Sequence, residues 1–239
     1  MKHIKKLREL FQSKQAAEID FWCREIERYE EWFSGELPML YQTPSPNDDQ
    51  KVSAPNRKDA SILTWHKLHQ EVKYLADLDL TPDVFVDQKL LDVGSGPIPS
   101  ATCFHGAKLY CLEPLLAQYI AAGFPLHYYG PVRFVHGKSE SIPLPDSFFD
   151  AVISVNAIDH VDNLSRTASE IRRVLRPGGK LRMHVHYHPP TKCEPLVIDD
   201  ELFLCLFSWC GALKKLKISH SNHSTALPED QSFVLWSNF

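Results

Sequence analysis

The chain has 239 residues, of which 44% are hydrophobic and 23% are charged, and these fractions are typical of a globular protein with a buried core. The formal net charge is -4 and no extended basic stripe occurs, so we expect no nucleic-acid partner. Since no apolar run approaches the ~20 residues of a membrane-spanning helix, we also expect no membrane partner.

The N-terminal residues and the cysteines bear on the cellular compartment. Residues 1–15 are basic but lack the apolar stretch and the small-residue cleavage site of a secretory signal. The cysteines form no C-x-x-C pair, and most stand in apolar contexts, where a free cysteine behaves as a small hydrophobic residue. They are Cys23, Cys103, Cys111, Cys193, Cys205 and Cys210. We therefore expect reduced thiols in a cytoplasmic protein.

Helical periodicity characterises the first part of the chain. Apolar residues recur at helical spacing along residues 1–34, and the polar, proline-containing residues 42–60 predict a loop. A second helix is predicted to bury one face made of Ile62, Trp65, Leu68, Val72 and Leu75. We expect residues 1–80 to form a helical cap or extension and residues 81–239 to form the main domain.

From residue 81 onward, predicted strands alternate with predicted helices. The predicted strands cover residues 89–94, 108–113, 132–136, 149–155, 180–187, 213–220 and 232–239. The predicted helices cover residues 115–123 and 200–210, with a third that Asp162 or Asn163 caps at its start. Such alternation is typical of βαβ units. We therefore predict an α/β fold, with a Rossmann-like, seven-stranded, mainly parallel sheet, helices on both faces and an N-terminal helical cap.

The segment LLDVGSGPIPS, residues 90–100, predicts a ligand site. Its apolar strand runs into Gly94-Ser95-Gly96, where glycine lets the backbone turn tightly and approach a ligand. A dinucleotide fingerprint would need a third glycine at position 99, which is Pro99, so an NAD site is disfavoured. A G-x-G sequence alone is equally compatible with a structural turn.

Glu113 strengthens the ligand interpretation. It ends the second predicted strand about twenty residues after the glycines, where this type of fold places an acid that binds ribose hydroxyls. A carboxylate can accept hydrogen bonds from two hydroxyl groups at once. The alternative interpretation is a solvated glutamate at the end of a strand.

Several segments together indicate a family. In chain order they are LLDVGSGP, LYCLEP, VHGKSESIPLPDSFFDAVISVNAIDHV and EIRRVLRPGGKL. The set resembles the class I S-adenosylmethionine-dependent methyltransferases, and within them the small-molecule branch called the type 11 methyltransferase domain. The resemblance covers roughly residues 85–187, and it implies methyl transfer with S-adenosyl-L-methionine as the cofactor.

The resemblance also implies where the cofactor binds. Gly94, Ser95 and Gly96 would pack against its methionine part, and Asp92 would orient this loop from beneath through hydrogen bonds. Glu113 would hold the ribose diol. The whole implied set is Asp92, Gly94, Ser95, Gly96, Pro97, Glu113, Pro114, Ser139, Glu140, Ile142 and Asn156.

The adenine and amino-acid ends of the cofactor are assigned in the same way. Ser139 and Glu140 would flank the adenine, Ile142 would contact its face, and Asn156 would lie near the amino-acid end. The chain departs from the family at Lys138, where relatives often have an acid that accepts from the adenine amino group. A lysine cannot accept that hydrogen bond, so Lys138 is not assigned to the site.

Histidines are the candidate catalytic residues, because the unperturbed pKa of histidine lies near neutrality. By resemblance, His160 falls beside the transferred methyl group, and its structural alternative is a loop histidine. His184, His186 and His188 alternate along one predicted strand and so share one face. Three imidazoles would suit a metal, but helices should cover both faces of this strand. We therefore favour His186 and His188 as lining the acceptor pocket, His184 as structural, and no metal site.

The methyl acceptor is expected to be a small molecule. After the fourth strand the chain reads Asn156-Ala157-Ile158-Asp159, which is not the Asp/Asn-Pro-Pro-aromatic run of nucleic-acid methyltransferases, and no cysteine nucleophile follows. We expect an O or N atom of a sugar or secondary metabolite, and a monomer or homodimer. The alternatives are a protein or peptide methyltransferase and a non-catalytic cofactor-binding scaffold.

Two further segments are candidates for the acceptor pocket. The aromatic residues of the cap would be buried anchors, or some would line the acceptor cavity as walls for a ring-bearing substrate. They are Trp22, Trp32, Phe33, Trp65 and Tyr74. Residues 189–198 leave the fifth predicted strand at the mouth of the crevice and would form part of a lid.

Overall fold

The computed structural model describes residues 2–191, 194–221 and 226–239. Its helices are α1 (Lys2–Ser34), α2 (Arg57–Trp65), α3 (Glu71–Leu78), α4 (Leu116–Ala121), α5 (Leu164–Val174) and α6 (Asp200–Phe207). Its strands are β1 (Met39–Leu40), β2 (Thr43–Pro44), β3 (Lys89–Val93), β4 (Lys108–Glu113), β5 (Arg133–His136), β6 (Phe149–Val155), β7 (Leu175–Tyr187), β8 (Lys214–Ser219) and β9 (Ser232–Ser237). The free thiols are Cys23, Cys103, Cys111, Cys205 and Cys210. Cys193, together with Lys192 of the predicted lid, lies outside the described residues.

Seven strands form one sheet in the order β5-β4-β3-β6-β7-β9-β8. The strands from β5 to β7 pair in parallel, and β9 runs antiparallel to both of its neighbours. The predicted fold class is thereby confirmed. The order reverses between β3 and β6, and ligands of open α/β sheets bind in the crevice that forms at such a reversal.

Alternation of side chains along the strands builds a core on each face of the sheet. On β7, Leu181 and Met183 belong to the core that contains α5 and α6, whereas Arg182 points to the opposite face. There, Arg182 donates to the carbonyl oxygens of Leu78 at 2.6 Å and Asp79 at 2.8 Å. These carbonyls lie at the C-terminal end of α3, so the guanidinium satisfies groups that the helix leaves unpaired. The arginine thus anchors α3 to the sheet.

Aromatic packing holds the N-terminal helices on the rest of the chain. Trp32 of α1 and Trp65 of α2 are fully buried and pack edge to face, with ring centroids 5.0 Å apart. The same cluster includes Ile98, Leu115 and Tyr119, from the glycine loop and α4. A buried aromatic pair contributes about 0.5–1.5 kcal/mol beyond the burial of its area. The helices of the cap therefore share a core with the crevice region of the sheet.

A π-helical turn, His66–Gln70, joins α2 to α3. The predicted apolar face continues through Ile62 and Trp65, which are fully buried, but Val72 is 62% exposed. The prediction for Val72 is wrong because a π turn has more residues than an α turn, and it rotates everything that follows around the helix axis. No helix among the described residues has the length and apolarity needed to cross a membrane.

Candidate active site

The loop after β3 is pinned between the ends of two neighbouring strands. Gly94 has φ +75° and Gly96 has φ +64°, conformations that favour glycine. A Cβ atom on Gly94 would lie 2.4 Å from the Cβ atom of Ala157, in the segment that follows β6. The N–H of Gly94 donates to the carbonyl oxygen of Leu112 on β4 at 2.9 Å. The loop is therefore held in a position where residue 94 has no space for a side chain.

Glu113, the last residue of β4, holds the same loop from the other side. Its Oε2 accepts the N–H of Gly96 at 3.0 Å, and its Oε1 accepts the N–H of Leu115 at 2.8 Å. Burial raises the pKa of Glu113 to about 7, although the two N–H groups act to lower it. Each carboxylate oxygen keeps a second lone pair. The carboxylate can therefore fix the loop and still accept a pair of hydroxyl groups.

Asp92 lies beneath the loop, but its hydrogen bond goes elsewhere than predicted. Its Oδ1 accepts the hydroxyl of Tyr74 on α3 at 2.5 Å, and its buried Oδ2 has no partner. The prediction that Asp92 bonds to the glycine loop is therefore wrong in this structure. Burial raises the pKa of Asp92 to about 7, with Tyr74 acting against this shift and the charge of Glu113 adding to it. Asp92 ties β3 to α3.

The residues predicted to contact adenine make contacts with other residues of the protein. Ser139 shares a 3.0 Å hydrogen bond with Thr167 of α5, and Glu140 accepts the N–H of Asp162 at 2.7 Å. Ile142 packs in the core beside α5 and is only 3% exposed. The prediction that Ile142 offers a face to adenine is therefore not supported by its packing. Ser139 and Glu140 fix the loop that precedes α5.

Lys138, which replaces an acid of the family, pairs with Asp162 at 2.8 Å. Lys14 of α1 contacts the same aspartate at 3.1 Å and also donates to the carbonyl oxygen of His160. The two lysines thus hold this loop against α1. Of the predicted prolines, Pro97 is buried, and the carbonyl oxygen of Pro114 makes a 3.1 Å hydrogen bond with the His136 ring.

Asn156 borders a cavity of about 540 Å³. Its φ of +51° is unusual for a residue with a side chain, and its N–H donates to the carbonyl oxygen of His184 at 2.8 Å. Its buried Oδ1 has no hydrogen-bond partner. The cavity walls include Trp22 and Tyr29 of α1 and Phe233 of β9. The volume and aromatic walls suit a small ligand, and Trp22 is one of the wall residues.

Trp22 also borders the glycine loop. A Cβ atom on Gly96 would meet the Trp22 ring at 3.6 Å, and Trp22 Nε1 donates to Glu18 at 2.8 Å. Helix α1 therefore runs along the crevice, with Lys14 and Glu18 near His160 and Trp22 near the glycines. Of the other predicted aromatic residues, Trp32, Trp65 and Tyr74 are buried anchors, and Phe33 is half-buried.

The predicted histidines divide between the cavity and a separate cluster. His184, predicted to be structural, lines the cavity and stacks on Phe233 at 4.8 Å. His186 and His188 do not line this cavity, and their place in the acceptor pocket stays a prediction. Instead, they lie with Asp159 and Glu194 in one group of potential ligand atoms. Strand β6 pairs with β7 only as far as His184, and β7 continues past that point.

His160 lies beside two carboxylates that local sequence patterns did not reveal. Its Nδ1 is 3.7 Å from Glu18 of α1, and its Nε2 is 3.6 Å from Glu194. Burial acts to lower the pKa of His160, but Glu194, Asp159 and Glu18 outweigh it and raise the pKa. The rings of His160 and His186 in turn hold the pKa of Glu194 well below its usual range. A ring in this setting is suited to accepting a proton.

Comparison with known proteins identifies the domain. Residues 91–183 match the model of a family described as the methyltransferase domain. Over this segment the chain is similar to a methyltransferase domain. Its match begins within β3 and ends within β7, so it includes the glycine loop, Glu113, Asn156 and His160.

Relatives of this methyltransferase domain are named for different acceptors. Sterol 24-C-methyltransferase ERG6B of Gibberella zeae is 39% identical over 97 residues, which are 38% of this chain and 26% of that protein. Uncharacterized methyltransferase YcgJ of Bacillus subtilis is 27% identical over 150 residues, or 61% of this chain and 58% of the relative. The chain thus matches between about a quarter and three fifths of the length of these relatives.

Solved structures share the fold of the methyltransferase domain. The crystal structure of YcgJ from Bacillus subtilis superposes with a TM-score of 0.54, 15% identity, and coverage of 71% of this chain and 97% of that chain. A possible histamine N-methyltransferase of Thermotoga maritima gives a TM-score of 0.53, 18% identity, and coverage of 73% of this chain and 93% of that chain. At such identities the superpositions establish the fold and leave the acceptor open.

Proposed function

We propose that this protein is an S-adenosylmethionine-dependent methyltransferase that methylates an O or N atom of a small molecule. The observation that carries the proposal is the hydrogen bond from the Gly96 N–H to Glu113. It places an acid with spare acceptor capacity directly against the glycine loop, at the point where the strand order reverses. A structural turn alone would not need a buried carboxylate beside it.

The residues at this point of the crevice fit the cofactor. Gly94 packs directly against Ala157, which fixes the glycine loop beside Glu113, and Glu113 keeps lone pairs for the ribose hydroxyls. The unpartnered Oδ1 of Asn156 is a suitable acceptor for the amino group at the amino-acid end. Ser95 and Pro97 complete the loop that would hold the methionine part. When bound, S-adenosylmethionine supplies an electrophilic methyl group on its sulfonium.

The protein then has to position an acceptor and receive its proton. Methyl transfer is an in-line displacement, and correct positioning can lower such a barrier by roughly 7–11 kcal/mol. His160 is the proposed general base, because the carboxylates of Glu18 and Glu194 stabilise its protonated ring. For a hydroxyl or ammonium acceptor, a general base is worth roughly 10²–10⁴-fold in rate.

The cavity beside Asn156 is the proposed acceptor site. Its about 540 Å³ suits a small molecule, and its aromatic walls suit a ring-bearing one. Its lining also contains Glu25, Lys73 and Lys217, which would recognise polar groups on the acceptor. A sugar or a secondary metabolite meets both conditions. A protein or peptide acceptor is the alternative, and it would require a broader groove.

A carbon acceptor is a second candidate, favoured by the names of two relatives. The Gibberella zeae relative is named a sterol C-methyltransferase, and a Marinomonas relative, 31% identical over 77 residues, is named a ubiquinone/menaquinone biosynthesis C-methyltransferase. A carbon nucleophile is distinguished from O and N by the product, since mass spectrometric fragmentation locates the added methyl group.

The first test of the proposed function is calorimetric titration with S-adenosylhomocysteine, with NAD as a control ligand. We expect micromolar binding of the former alone, and at least fivefold weaker binding by Glu113→Gln. Asp150→Asn is the matched control, because Asp150 also accepts a backbone N–H, from Lys89 at 2.7 Å, but lies at the opposite end of the strands. Failure of the wild-type protein to bind S-adenosylhomocysteine would contradict the proposal.

Turnover then separates an enzyme from a scaffold. The protein is incubated with S-adenosylmethionine and pools of small hydroxyl- and amine-bearing compounds, with a peptide pool in parallel, and S-adenosylhomocysteine formation is measured. Formation with a small-molecule pool supports the proposal. Formation with peptides alone supports the protein-methyltransferase alternative, and binding without formation in any pool supports a non-catalytic scaffold.

A further inference from the structure

Four side chains from three segments converge outside the glycine loop. Asp159 lies in the 3-10 turn after β6, His186 and His188 lie at the end of β7, and Glu194 lies in the loop that follows. Each offers one potential ligand atom, and these atoms all lie within 4.8 Å of one another. Ligands on opposite sides of a bound ion are about 4.2 Å apart when metal–ligand distances are near 2.1 Å. The cluster therefore has nearly the dimensions of a metal site.

Two atoms of the cluster are buried without partners. Oδ1 of Asp159, a residue with 0% exposure, accepts no hydrogen bond, and Nε2 of His186 makes none either. A buried polar atom without a partner costs about 1–3 kcal/mol. A cation in the cluster would give the Asp159 carboxylate a further partner, and His186 would bind it through one of its two ring nitrogens.

His188 is held in the tautomer that a metal ligand needs. Its Nδ1 is 2.6 Å from the carbonyl oxygen of Pro189, so Nδ1 carries a proton and donates it there. Nε2 donates to Oδ2 of Asp159 at 3.2 Å, so a bound cation would take the place of this proton and use the lone pair of Nε2. Metal-binding histidines almost always donate their other ring N–H to a carbonyl or carboxylate, and this contact fixes the ring orientation.

Glu194 is fixed by hydrogen bonds to Thr191. The Thr191 hydroxyl donates to Oε2 of Glu194 at 3.0 Å and accepts the Glu194 N–H at 3.0 Å. The Thr191 N–H also donates to the carbonyl oxygen of Glu194 at 2.8 Å. These bonds direct Oε1 toward His186, whose Nδ1 is 3.8 Å away. Both the histidine and the carboxylate ligands thus have supporting contacts of their own.

We propose that Asp159, His186, His188 and Glu194 bind one divalent first-row transition metal ion, with Zn²⁺ as the representative ion. Two imidazoles favour Zn²⁺ or Fe²⁺ over Mg²⁺ and Ca²⁺, and the two carboxylates neutralise the charge of the ion. The prediction from sequence assigned no metal and considered only the three alternating histidines. The structure removes His184 from that set and adds Asp159 and Glu194.

The metal site narrows the acceptor class of the proposed function, and this inference rests on that function. His186 stacks on Phe233, a wall of the proposed acceptor cavity, with ring centroids 4.5 Å apart, and Glu194 contacts His160. A metal ion at this position would coordinate an acceptor hydroxyl and lower its pKa. The acceptor class implied is an oxygen nucleophile that can bind a metal.

The test uses untagged full-length protein, treated with a chelator, dialysed and titrated with Zn²⁺ by calorimetry. Metal content is then measured by mass spectrometry after gel filtration. We expect one ion per chain with micromolar or tighter affinity, and a visible absorption spectrum when Co²⁺ replaces Zn²⁺. His186→Gln and Glu194→Gln should each weaken Zn²⁺ binding at least tenfold. These two half-buried residues are chosen because substitution of the fully buried Asp159 risks unfolding.

His184→Gln is the matched control for metal content, since His184 occupies the same face of β7 but lies outside the cluster. S-adenosylhomocysteine is titrated into the same samples, which separates the two proposals. Absence of bound Zn²⁺ in wild-type protein that binds S-adenosylhomocysteine would overturn the metal site and leave the proposed function standing. Equal Zn²⁺ affinity of His186→Gln, Glu194→Gln and the wild type would also overturn it. Bound Zn²⁺ without S-adenosylhomocysteine binding would support the metal site and contradict the function.

Discussion

Gly94 and Ala157 approach each other so closely that a Cβ atom on Gly94 would lie 2.4 Å from the Cβ atom of Ala157. The contact joins the loop after β3 to the segment after β6, which are the two sides of the crevice where the strand order reverses. Because Gly94 also has φ +75°, both the available space and the backbone conformation require glycine here. The close packing of these two segments therefore depends on the absence of a side chain at Gly94.

Replacing Gly94 should accordingly cost more than strain alone. We expect Gly94→Ala to lower the free energy of unfolding by about 2–4 kcal/mol, since backbone strain and overpacking add. Gly178→Ala is the control, because Gly178 has φ +71° but nothing within 4 Å of its would-be Cβ atom, and should cost about 1–2 kcal/mol. Urea denaturation measures both. Equal losses of unfolding free energy in the two variants would show that Ala157 does not restrict a side chain at position 94.

The raised pKa of Glu113 predicts how ligand binding depends on pH. Below pH 7 the carboxyl is protonated and loses acceptor capacity, and above pH 7 it is ionised and can accept two ribose hydroxyls. We expect the affinity for S-adenosylhomocysteine to rise between pH 6 and pH 8 by about fivefold to tenfold, equivalent to roughly 1–1.4 kcal/mol, because the ionised fraction of Glu113 rises about tenfold over this range. Calorimetry at several pH values measures this.

The Glu113→Gln variant isolates the contribution of the carboxyl. It should bind S-adenosylhomocysteine weakly, with an affinity that changes little between pH 6 and pH 8. The Asp150→Asn control should keep the full pH dependence of the wild type. If Glu113→Gln kept that dependence as well, another group would have to be responsible, and the assignment of Glu113 to the ribose would fail.

Asp92 predicts a pH dependence of stability. Its pKa is raised from 3.8 to about 7 by burial, so between these values the unfolded chain binds fewer protons than the native protein. The free energy of unfolding should therefore fall as pH rises from about 4 to 7, by an amount on the order of 1–4 kcal/mol. Asp92→Asn should show a smaller fall over this range. Tyr74→Phe should show a larger fall, because the carboxylate loses its 2.5 Å hydrogen bond.

Urea denaturation at a series of pH values would test this prediction, with each variant compared with the wild type at the same pH. The comparison cancels the contributions of carboxyl groups that the variants share. A constant difference between Asp92→Asn and the wild type from pH 4 to pH 8 would mean that Asp92 does not titrate in the native protein over this range.

Much of the fold follows from local sequence. The predicted strands 108–113 and 149–155 have the same bounds in the structure, because short, nearly continuous apolar runs between turn residues are typical of parallel strands buried on both faces. Asn163 caps α5 as predicted, accepting the N–H of Arg166 at 3.0 Å. The exposure of Val72 could not be predicted from local sequence, since a π turn breaks the 3.6-residue period on which the prediction of a buried Val72 rests.

The site was less predictable because it is assembled from distant segments. The glycines and Glu113 could be found, since each ends a strand of recognisable pattern. Glu18 and Glu194 have no local signal, because only the folding of α1 and of the loop after β7 brings them to His160. Alternation correctly placed the histidines of β7 on one face. The point along β7 at which its pairing with β6 ends is set by the tertiary structure and has no local sequence signal.

Trp22 and Trp32 on the same helix are predicted to have different roles. Trp22 lines the cavity, so Trp22→Ala should raise the KM for the acceptor while changing stability little. Trp32 is fully buried, so Trp32→Ala should lower the free energy of unfolding by about 3–5 kcal/mol. Thermal denaturation and steady-state kinetics measure the two effects. A Trp22→Ala variant with an unchanged KM would place the acceptor outside this cavity.

His160 is expected to act on the acceptor and not on the cofactor. His160→Gln should lower kcat by roughly 10²–10⁴-fold for a hydroxyl acceptor, the usual contribution of a general base. Its affinity for S-adenosylhomocysteine should remain within about twofold of the wild type, a free-energy change below about 0.5 kcal/mol. His105→Gln is the control, because His105 is exposed and precedes β4 at the opposite end of the sheet. If kcat were unchanged in His160→Gln, its contacts with Glu18 and Glu194 would be structural, holding α1 and the loop after β7 over the crevice.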